Sequence, residues 1–156
     1  MESKKNQNVN ICIRFWYIVD KIKDAYCYET LKKGFLMKIL KCHCEAVEAE
    51  INITGNFDKI LRCNCSLCKR RGSVMSMVKN EDFKLIKGED KLNIYQFHTK
   101  VAKHFFCSLC GIYTHHNPRS NPTMTGFNLG CIDEVNTFDL KNIAVNDGHN
   151  HPLDKK

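Results

Sequence analysis

Apolar and polar residues alternate along much of the chain after position 37, a pattern typical of half-buried β-strands. In residues 46–53 the sequence Ala-Val-Glu-Ala-Glu-Ile-Asn-Ile puts an apolar side chain at every second position from Val47 to Ile53. A period of two predicts a strand that turns one face to the core. The segment Thr54-Gly55-Asn56 that follows is a turn signal, so the strand is expected to end there.

Shorter apolar runs continue this pattern, and no long helix is predicted after residue 37. Asn117-Pro118-Arg119-Ser120-Asn121-Pro122 has the composition of a loop, and the polar tail from Asn146 is predicted to lie on the surface. Many short strands with turns between them predict an all-β domain, a sandwich or open barrel, with a modest core. Later strands are predicted at residues 73–78, 83–87, 92–97, 102–106, 113–116 and 127–132. The strand at 127–132 is predicted to be the last one in the chain.

Residues 1–36 differ from the rest of the chain. They begin polar, turn aromatic and apolar around Trp16, and then become basic, and the apolar residues do not keep to one helical face. We predict an N-terminal extension over residues 1–36, helical or disordered, followed by a separate domain over residues 37–156. Two interpretations stay open: Met37 is the natural start, or the extension is a helix docked on the domain. The intact mass of the protein from its native source would distinguish them.

The apolar run at residues 11–19 indicates neither secretion nor membrane insertion. Arg14 interrupts it and no small-residue cleavage site follows, which is unlike a signal peptide. The run is also too short to span a bilayer. A cytoplasmic location with no membrane partner is therefore expected.

Seven of the ten cysteines fall into three short motifs. In a cytosolic chain such clusters indicate metal binding rather than disulfides, and thiolates suit zinc. Two closed four-cysteine sites need eight ligands, so seven allow one closed site and one site with three ligands. A zinc with an open fourth position is one that can do chemistry. The motifs are Cys42-His43-Cys44, Cys63-Asn64-Cys65-Ser66-Leu67-Cys68 and Cys107-Ser108-Leu109-Cys110-Gly111.

The spacing of the cysteines does not settle which of them share a metal. Cys-Ser-Leu-Cys occurs twice, at residues 65–68 and 107–110, so a single structural zinc ribbon built from these two pairs is one alternative. That alternative leaves Cys42, Cys44 and Cys63 without a role. In the last motif, Gly111 can take the positive φ that turns backbone amides toward the sulfurs.

The three motifs, in this order, resemble the glutathione-dependent formaldehyde-activating enzymes, or S-(hydroxymethyl)glutathione synthases, whose domain is shared with centromere-protein-V-like proteins. The resemblance runs from about Leu40 to about Pro152 and includes Tyr113-Thr114-His115-His116. It implies a β-tent fold, in which two antiparallel sheets join near the metals. One departure is Glu45, which stands where the family usually has glycine. The resemblance implies two zinc ions per chain, a structural one held by Cys42, Cys44, Cys107 and Cys110 and a catalytic one held by Cys63, Cys65 and Cys68.

The activity that the resemblance implies is that of a carbon–sulfur lyase. Three thiolates make zinc a weak Lewis acid, so binding a thiol is more natural there than activating water. Glutathione, or another small thiol, would be held as a thiolate and add to formaldehyde or another small aldehyde, giving S-hydroxymethylglutathione, with positioning as the main benefit. The family allows one cysteine to detach when the thiol binds, and we choose Cys65, in the middle of the loop. The alternative is a non-catalytic, zinc-stabilised module that binds protein or nucleic acid.

Four further residues have weaker claims. His104, His115 and His116 are candidate acids or bases near neutral pH, although ordinary strand or surface histidines are favoured. Cys131 is expected to be a small buried apolar residue.

The basic residues are scattered, with residues 69–71 the densest run. Thiolates around two zincs would lower the formal charge from +7 to +4, which does not favour nucleic acid as a partner. Lys69, Arg70 and Arg71 are candidates to attract an anionic thiol, with a solvated basic face as the simpler interpretation. Arg119, Ser120 and Asn121 are candidates to bind the carboxylates of glutathione, with an ordinary solvated loop favoured.

Overall fold

The computed structural model describes residues 34–57 and 59–154, so the interpretations of residues 1–33 lie outside it and stay predictions. One short helix, α1 (Cys68–Arg71), and short 3₁₀ turns at Asn80–Asp82, Glu89–Lys91, Leu129–Cys131 and Pro152–Asp154 accompany the strands of this part. The strands are β1 (Phe35–Lys41), β2 (Glu48–Thr54), β3 (Leu61–Cys63), β4 (Met75–Lys79), β5 (Phe83–Lys87), β6 (Leu92–Tyr95), β7 (Lys103–Cys107), β8 (Tyr113–Asn117), β9 (Met124–Asn128) and β10 (Ala144–Asn146).

The strands form two sheets in the described part of the chain. One has the order β1-β2-β5, and the other has the order β10-β3-β4-β9-β8-β7-β6. Within the larger sheet, all neighbouring strands in the series β3-β4-β9-β8-β7-β6 pair antiparallel. The exception is β10, which pairs parallel to β3 with Ala144 opposite Leu61 and Asn146 opposite Cys63. The all-β fold of two sheets expected from the sequence is confirmed.

The main core contains side chains from both sheets. Along β2, residues Ala49, Ile51 and Ile53 are buried while the residues between them are partly exposed, as the period of two predicts. Leu40 of the smaller sheet and Phe127 of the larger one are fully buried in the same cluster. Fully burying a side chain of this size stabilises the fold by roughly 1.5–3 kcal/mol, so these contacts tie the sheets together.

A second buried cluster lies where the first and last cysteine motifs meet. Cys42, Val47 and Cys107 are buried there, and Leu85 and Ile112 pack against them. The backbone N–H of Cys42 donates to the carbonyl of Val47 at 3.0 Å, and that of Cys107 donates to Ile112 at 2.9 Å. The apolar packing therefore fixes two sulfurs that are distant in sequence.

The end of the fold departs from the strand prediction. The run at 127–132 is not one strand, because β9 stops at Asn128 and a 3₁₀ turn follows. The Asn128 side chain accepts a hydrogen bond from the Gly130 N–H at 3.1 Å and turns the chain, while Leu129 and Cys131 are both buried. Nor is this run the final strand, since β10 comes later. The three residues of β10 are all exposed, so the sequence shows no hydrophobic period that would predict this strand.

Candidate functional site

The four cysteines of the first and last motifs lie close together, next to the second buried cluster. The sulfurs of Cys42, Cys44, Cys107 and Cys110 all lie within 4.8 Å of one another. The Cys42 and Cys44 sulfurs are 3.6 Å apart, and those of Cys44 and Cys107 are 3.7 Å apart. Tetrahedral zinc with bonds of about 2.3 Å would place two sulfurs about 3.8 Å apart, so this cluster fits a zinc ion.

Backbone amides in this cluster point at the sulfurs. The N–H of Val47 donates to the Cys42 sulfur at 3.3 Å. Burial opposes ionisation of Cys110, but N–H groups of Ile112 and Cys44 outweigh it and lower the pKa of that thiol to about 6. Gly111 has the positive φ expected from the sequence, with a value of 74°. The cluster is thus shaped to hold negative sulfur.

Glu45, the departure from the family pattern, keeps the turn that glycine would make. Its φ is 57°, in the left-handed region. Its backbone N–H donates to the carbonyl of Cys42 at 2.9 Å, which closes the turn around the first motif. The local conformation is retained with a residue that strains to adopt it.

The other three clustered cysteines form a second group at the end of β3. The sulfurs of Cys63, Cys65 and Cys68 lie within 4.8 Å of one another, and all three residues are partly exposed. Among the described residues, no fourth Cys, His, Asp or Glu ligand atom joins this group. The N–H of Cys65 donates to the Cys63 sulfur at 3.5 Å, and that of Cys68 donates to the Cys65 sulfur at 3.3 Å. Three soft donors with room for another ligand fit zinc at an open site.

The three thiols do not ionise alike. The hydrogen bond from Cys68 lowers the pKa of Cys63 to about 5, against the effect of burial. The same bond, followed by burial, raises the pKa of Cys68. The Cys63 thiol therefore loses its proton readily, and the resulting negative charge favours binding of a cation by this group.

The geometry answers the question of pairing that the spacing left open. Cys65 and Cys68 group with Cys63, whereas Cys107 and Cys110 group with the first motif. The single zinc ribbon made of the two Cys-Ser-Leu-Cys tetrapeptides is therefore wrong. The sulfurs stand as the resemblance implied, in one group of four and one of three.

A later segment, residues 144–150, lies against the three-cysteine loop, and we call it the strap. Asn64 anchors it: its N–H donates to the Asn146 carbonyl at 3.2 Å, its side-chain amide donates to Asp147 Oδ1 at 3.0 Å, and its Oδ1 accepts from the His149 N–H at 2.9 Å. A Cβ at Gly148 would be 2.5 Å from the Cys63 sulfur. Sequence reasoning missed this contact, and the turn-forming Asn146-Asp147-Gly148 was the only hint of it.

A cavity of about 550 Å³ opens between the two cysteine motifs. Leu67 of the three-cysteine loop and Gly111 of the last motif both line it, as do Arg71, Ser73 and Tyr113. The Arg71 guanidinium carbon lies 3.9 Å from the centre of the Tyr113 ring. The sequence grouped residues 69–71 as one basic run, but only Arg71 among them faces this cavity.

The candidate histidines are packed into β7 and β8. His104 Nδ1 is 3.2 Å from the Tyr113 hydroxyl, and its ring stacks on His116 with centroids 5.7 Å apart. His115 stacks on Phe105 at 4.3 Å. Burial lowers the pKa of His104 and His115 to about 4 and that of His116 to about 3. All three are neutral near pH 7 and serve as ring-stacking residues of the sheet.

Two remaining candidates are also located. Cys131 is buried in the main core, as expected. The loop at residues 119–121 does not line the cavity, and Asn121 bonds within the loop, accepting from Thr123 Oγ1 at 2.9 Å. None of the helices in the described residues is long and apolar enough to cross a membrane.

A two-sheet fold that gathers four sulfurs at one point and three at another, beside a cavity, defines a cysteine-rich protein with two candidate metal centres. The chain belongs to the glutathione-dependent formaldehyde-activating enzyme family, whose model matches residues 37–145. All seven clustered cysteines lie within that range, which ends at the first two residues of the strap.

Known proteins support the assignment. A protein of Colletotrichum graminicola is 32% identical over 78 residues, and one of Fusarium vanettenii is 31% identical over 78; both carry the provisional name glutathione-dependent formaldehyde-activating enzyme. Each match covers 47% of this chain, and the chain spans only 40% and 41% of the length of these relatives. A crystal structure of a Rhodobacter sphaeroides protein has a TM-score of 0.66 and 42% identity, covering 69% of this chain and 99% of that one.

Proposed function

We propose that this protein condenses glutathione with formaldehyde to give S-hydroxymethylglutathione, as a carbon–sulfur lyase of the cytoplasm. The observation that carries the proposal is the three-cysteine group, which has no fourth protein ligand among the described residues and whose loop residue Leu67 lines a cavity. Membership of the formaldehyde-activating family and the names of the fungal relatives support the choice of thiol and aldehyde.

We assign one zinc ion to each cysteine group, a structural ion to the group of four and a catalytic ion to the group of three. When bound at the open site, zinc supplies the positive charge that keeps a thiol ionised at neutral pH. The catalytic ligands are Cys63, Cys65 and Cys68. The side-chain hydrogen bond from Cys68, and after it the N–H of Cys65, already stabilise negative sulfur at Cys63 and lower the pKa of that thiol.

The chain's contribution to the reaction is position. The strap lies against one side of the cysteine loop, and the cavity that Leu67 of this loop lines offers room for a thiol and an aldehyde. The thiolate sulfur attacks the aldehyde carbon, a carbon–sulfur bond forms as the carbonyl π bond opens, and the oxygen takes a proton from water. This addition also proceeds without an enzyme, so holding the two reactants together supplies the gain in rate.

Zinc content per chain is the test, measured on protein purified without chelator for the wild type and for Cys63→Ser. We expect near two zincs in the wild type and near one in the variant. Glutathione and ¹³C-formaldehyde are then mixed with each protein, and the exchange rate into S-hydroxymethylglutathione is followed by NMR. The variant should lose the acceleration while keeping the fold.

Two results would reject the proposal. Near one zinc in both proteins would remove the open site. Two zincs without acceleration and without glutathione binding would favour the non-catalytic, zinc-stabilised binding module instead.

A further inference from the structure

We propose that Arg71 and Ser73 form a carboxylate subsite in the cavity, and that this subsite selects thiols that carry a carboxylate. The inference rests on the proposed function for the place of the sulfur. It adds which residues recognise the remainder of the substrate, and it does so from groups that the described protein leaves unpaired.

The subsite lies next to the three-cysteine loop. Arg71 ends the four-residue helix that begins at Cys68, and Leu67, between two of the cysteines, lines the same cavity. Ser73 follows two positions after Arg71 and lines the cavity as well. A molecule with its sulfur at the loop therefore meets these two side chains with its other end.

Two buried polar groups of this wall have no hydrogen-bond partner in residues 34–57 and 59–154: Arg71 Nη1 and Ser73 Oγ. Buried polar groups without a partner are uncommon in native proteins, and a ligand is one explanation for them. Asn128, which also lines the cavity, already has hydrogen-bond partners: its side chain donates to the Tyr113 carbonyl at 2.9 Å and accepts from the Gly130 N–H. Arg71 and Ser73 thus supply the free donors.

The electrostatics favour an anion. The Arg71 guanidinium carbon lies 3.9 Å from the centre of the Tyr113 ring, and no Asp or Glu is among the described residues that line the cavity. Burial, and after it the positive charge of Arg71, lowers the pKa of His104. A guanidinium fork with a hydroxyl beside it matches a carboxylate, and the interaction is stronger where water is shut out.

S-methylglutathione tests the subsite apart from the thiol chemistry, because it keeps both carboxylates but cannot form a thiolate. Its binding to the zinc-loaded protein is measured by calorimetry beside that of its diethyl ester. We expect the acid to bind at least about tenfold more tightly than the ester, as loss of one charge-assisted hydrogen bond implies.

Arg71→Gln should remove this preference for the acid, and Ser73→Ala should reduce it. Arg70→Gln is the matched control, since Arg70 is exposed on the same helix and bonds the Ser66 carbonyl. Equal binding of acid and ester by the wild type would overturn the subsite, as would a preference that survives Arg71→Gln. If that variant loses zinc or unfolds, Ser73→Ala and the wild-type comparison still decide. Preferential binding of the acid by a wild type that does not accelerate the reaction would reject the proposed function and leave the subsite standing.

Discussion

Asn64 and Asp147 are 83 positions apart in the chain, yet the Asn64 side-chain amide donates to Asp147 Oδ1 at 3.0 Å. The other end of the same amide accepts the His149 N–H at 2.9 Å. One side chain therefore fastens the three-cysteine loop to the strap. Because Asn64 sits between Cys63 and Cys65, these hydrogen bonds tie the strap to the part of the loop that carries two candidate ligands.

Asn64→Ala should loosen the metal at the three-cysteine site. It removes two exposed hydrogen bonds, each contributing about 0.5–1.5 kcal/mol, so the free energy of unfolding should fall by about 1–3 kcal/mol. Zinc release to a chromogenic chelator should show one faster phase and one unchanged phase. Asn93→Ala, an exposed position on β6, is the control. Two unchanged phases would show that the strap does not hold the site.

Gly148→Ala should expel one zinc. The new Cβ would lie 2.5 Å from the Cys63 sulfur and 2.9 Å from Cys65 Cβ, closer than real contacts allow. We expect zinc content to fall from near two to near one per chain. Gly130→Ala is the matched control, because a Cβ there meets nothing closer than 3.4 Å. Full zinc in both variants would mean that the strap moves aside without effect.

Glu45→Gly should stabilise the fold. A non-glycine residue with φ of 57° pays roughly 1 kcal/mol in backbone strain, and glycine removes most of it. The Lys41–Glu45 pair that is lost spans 4.0 Å at the surface and contributes little. Urea unfolding should show a gain of about 0.5–1 kcal/mol. Glu45→Ala keeps the strain and should show no gain, so equal stability of the two variants would contradict this account.

His115 should make stability depend on pH. Burial lowers its pKa to about 4, whereas an unfolded histidine has a value of about 6.5. As pH falls, the unfolded chain takes the proton first, so the stability is complete above about pH 7 and is lost from about 6.5 down to about 4. The loss should be on the order of 3 kcal/mol.

His115→Phe isolates this contribution, because a phenyl ring can keep the stacking on Phe105 and Phe83 without titrating. Both proteins keep all the cysteines, so the effect of acid on metal binding is common to them. Urea unfolding between pH 7.5 and 5 should show the variant losing less stability than the wild type. Parallel curves would assign the acid sensitivity to other groups.

The sequence predicted those features that depend on residues close together in the chain. The alternation of apolar and polar residues from Val47 to Ile53 predicted a strand with one buried face, and Gly111 predicted the positive φ found after Cys110. The grouping of Cys63 with Cys68 was suggested by spacing and family resemblance, since three thiols within six residues can reach one point. These features depend on neighbours in sequence, which a sequence displays.

Contacts between distant segments were beyond such rules. Val145 in β10 is exposed, so no apolar period announced its strand. Arg71 looked like one member of a solvated basic run, because only the folded sheet brings Tyr113 beneath it. The strand prediction at 127–132 failed for a related reason: buried Leu129 and Cys131 belong to a turn that packs inward.

The parallel pairing of β10 with β3 sets an order of events during synthesis. The three-cysteine loop is complete once Cys68 has been made, but its covering residue Asp147 follows its partner Asn64 by 83 positions. The four-cysteine group, by contrast, closes with Cys110. A ribosome-bound chain would thus finish its scaffold first and expose reactive sulfurs until the strap arrives.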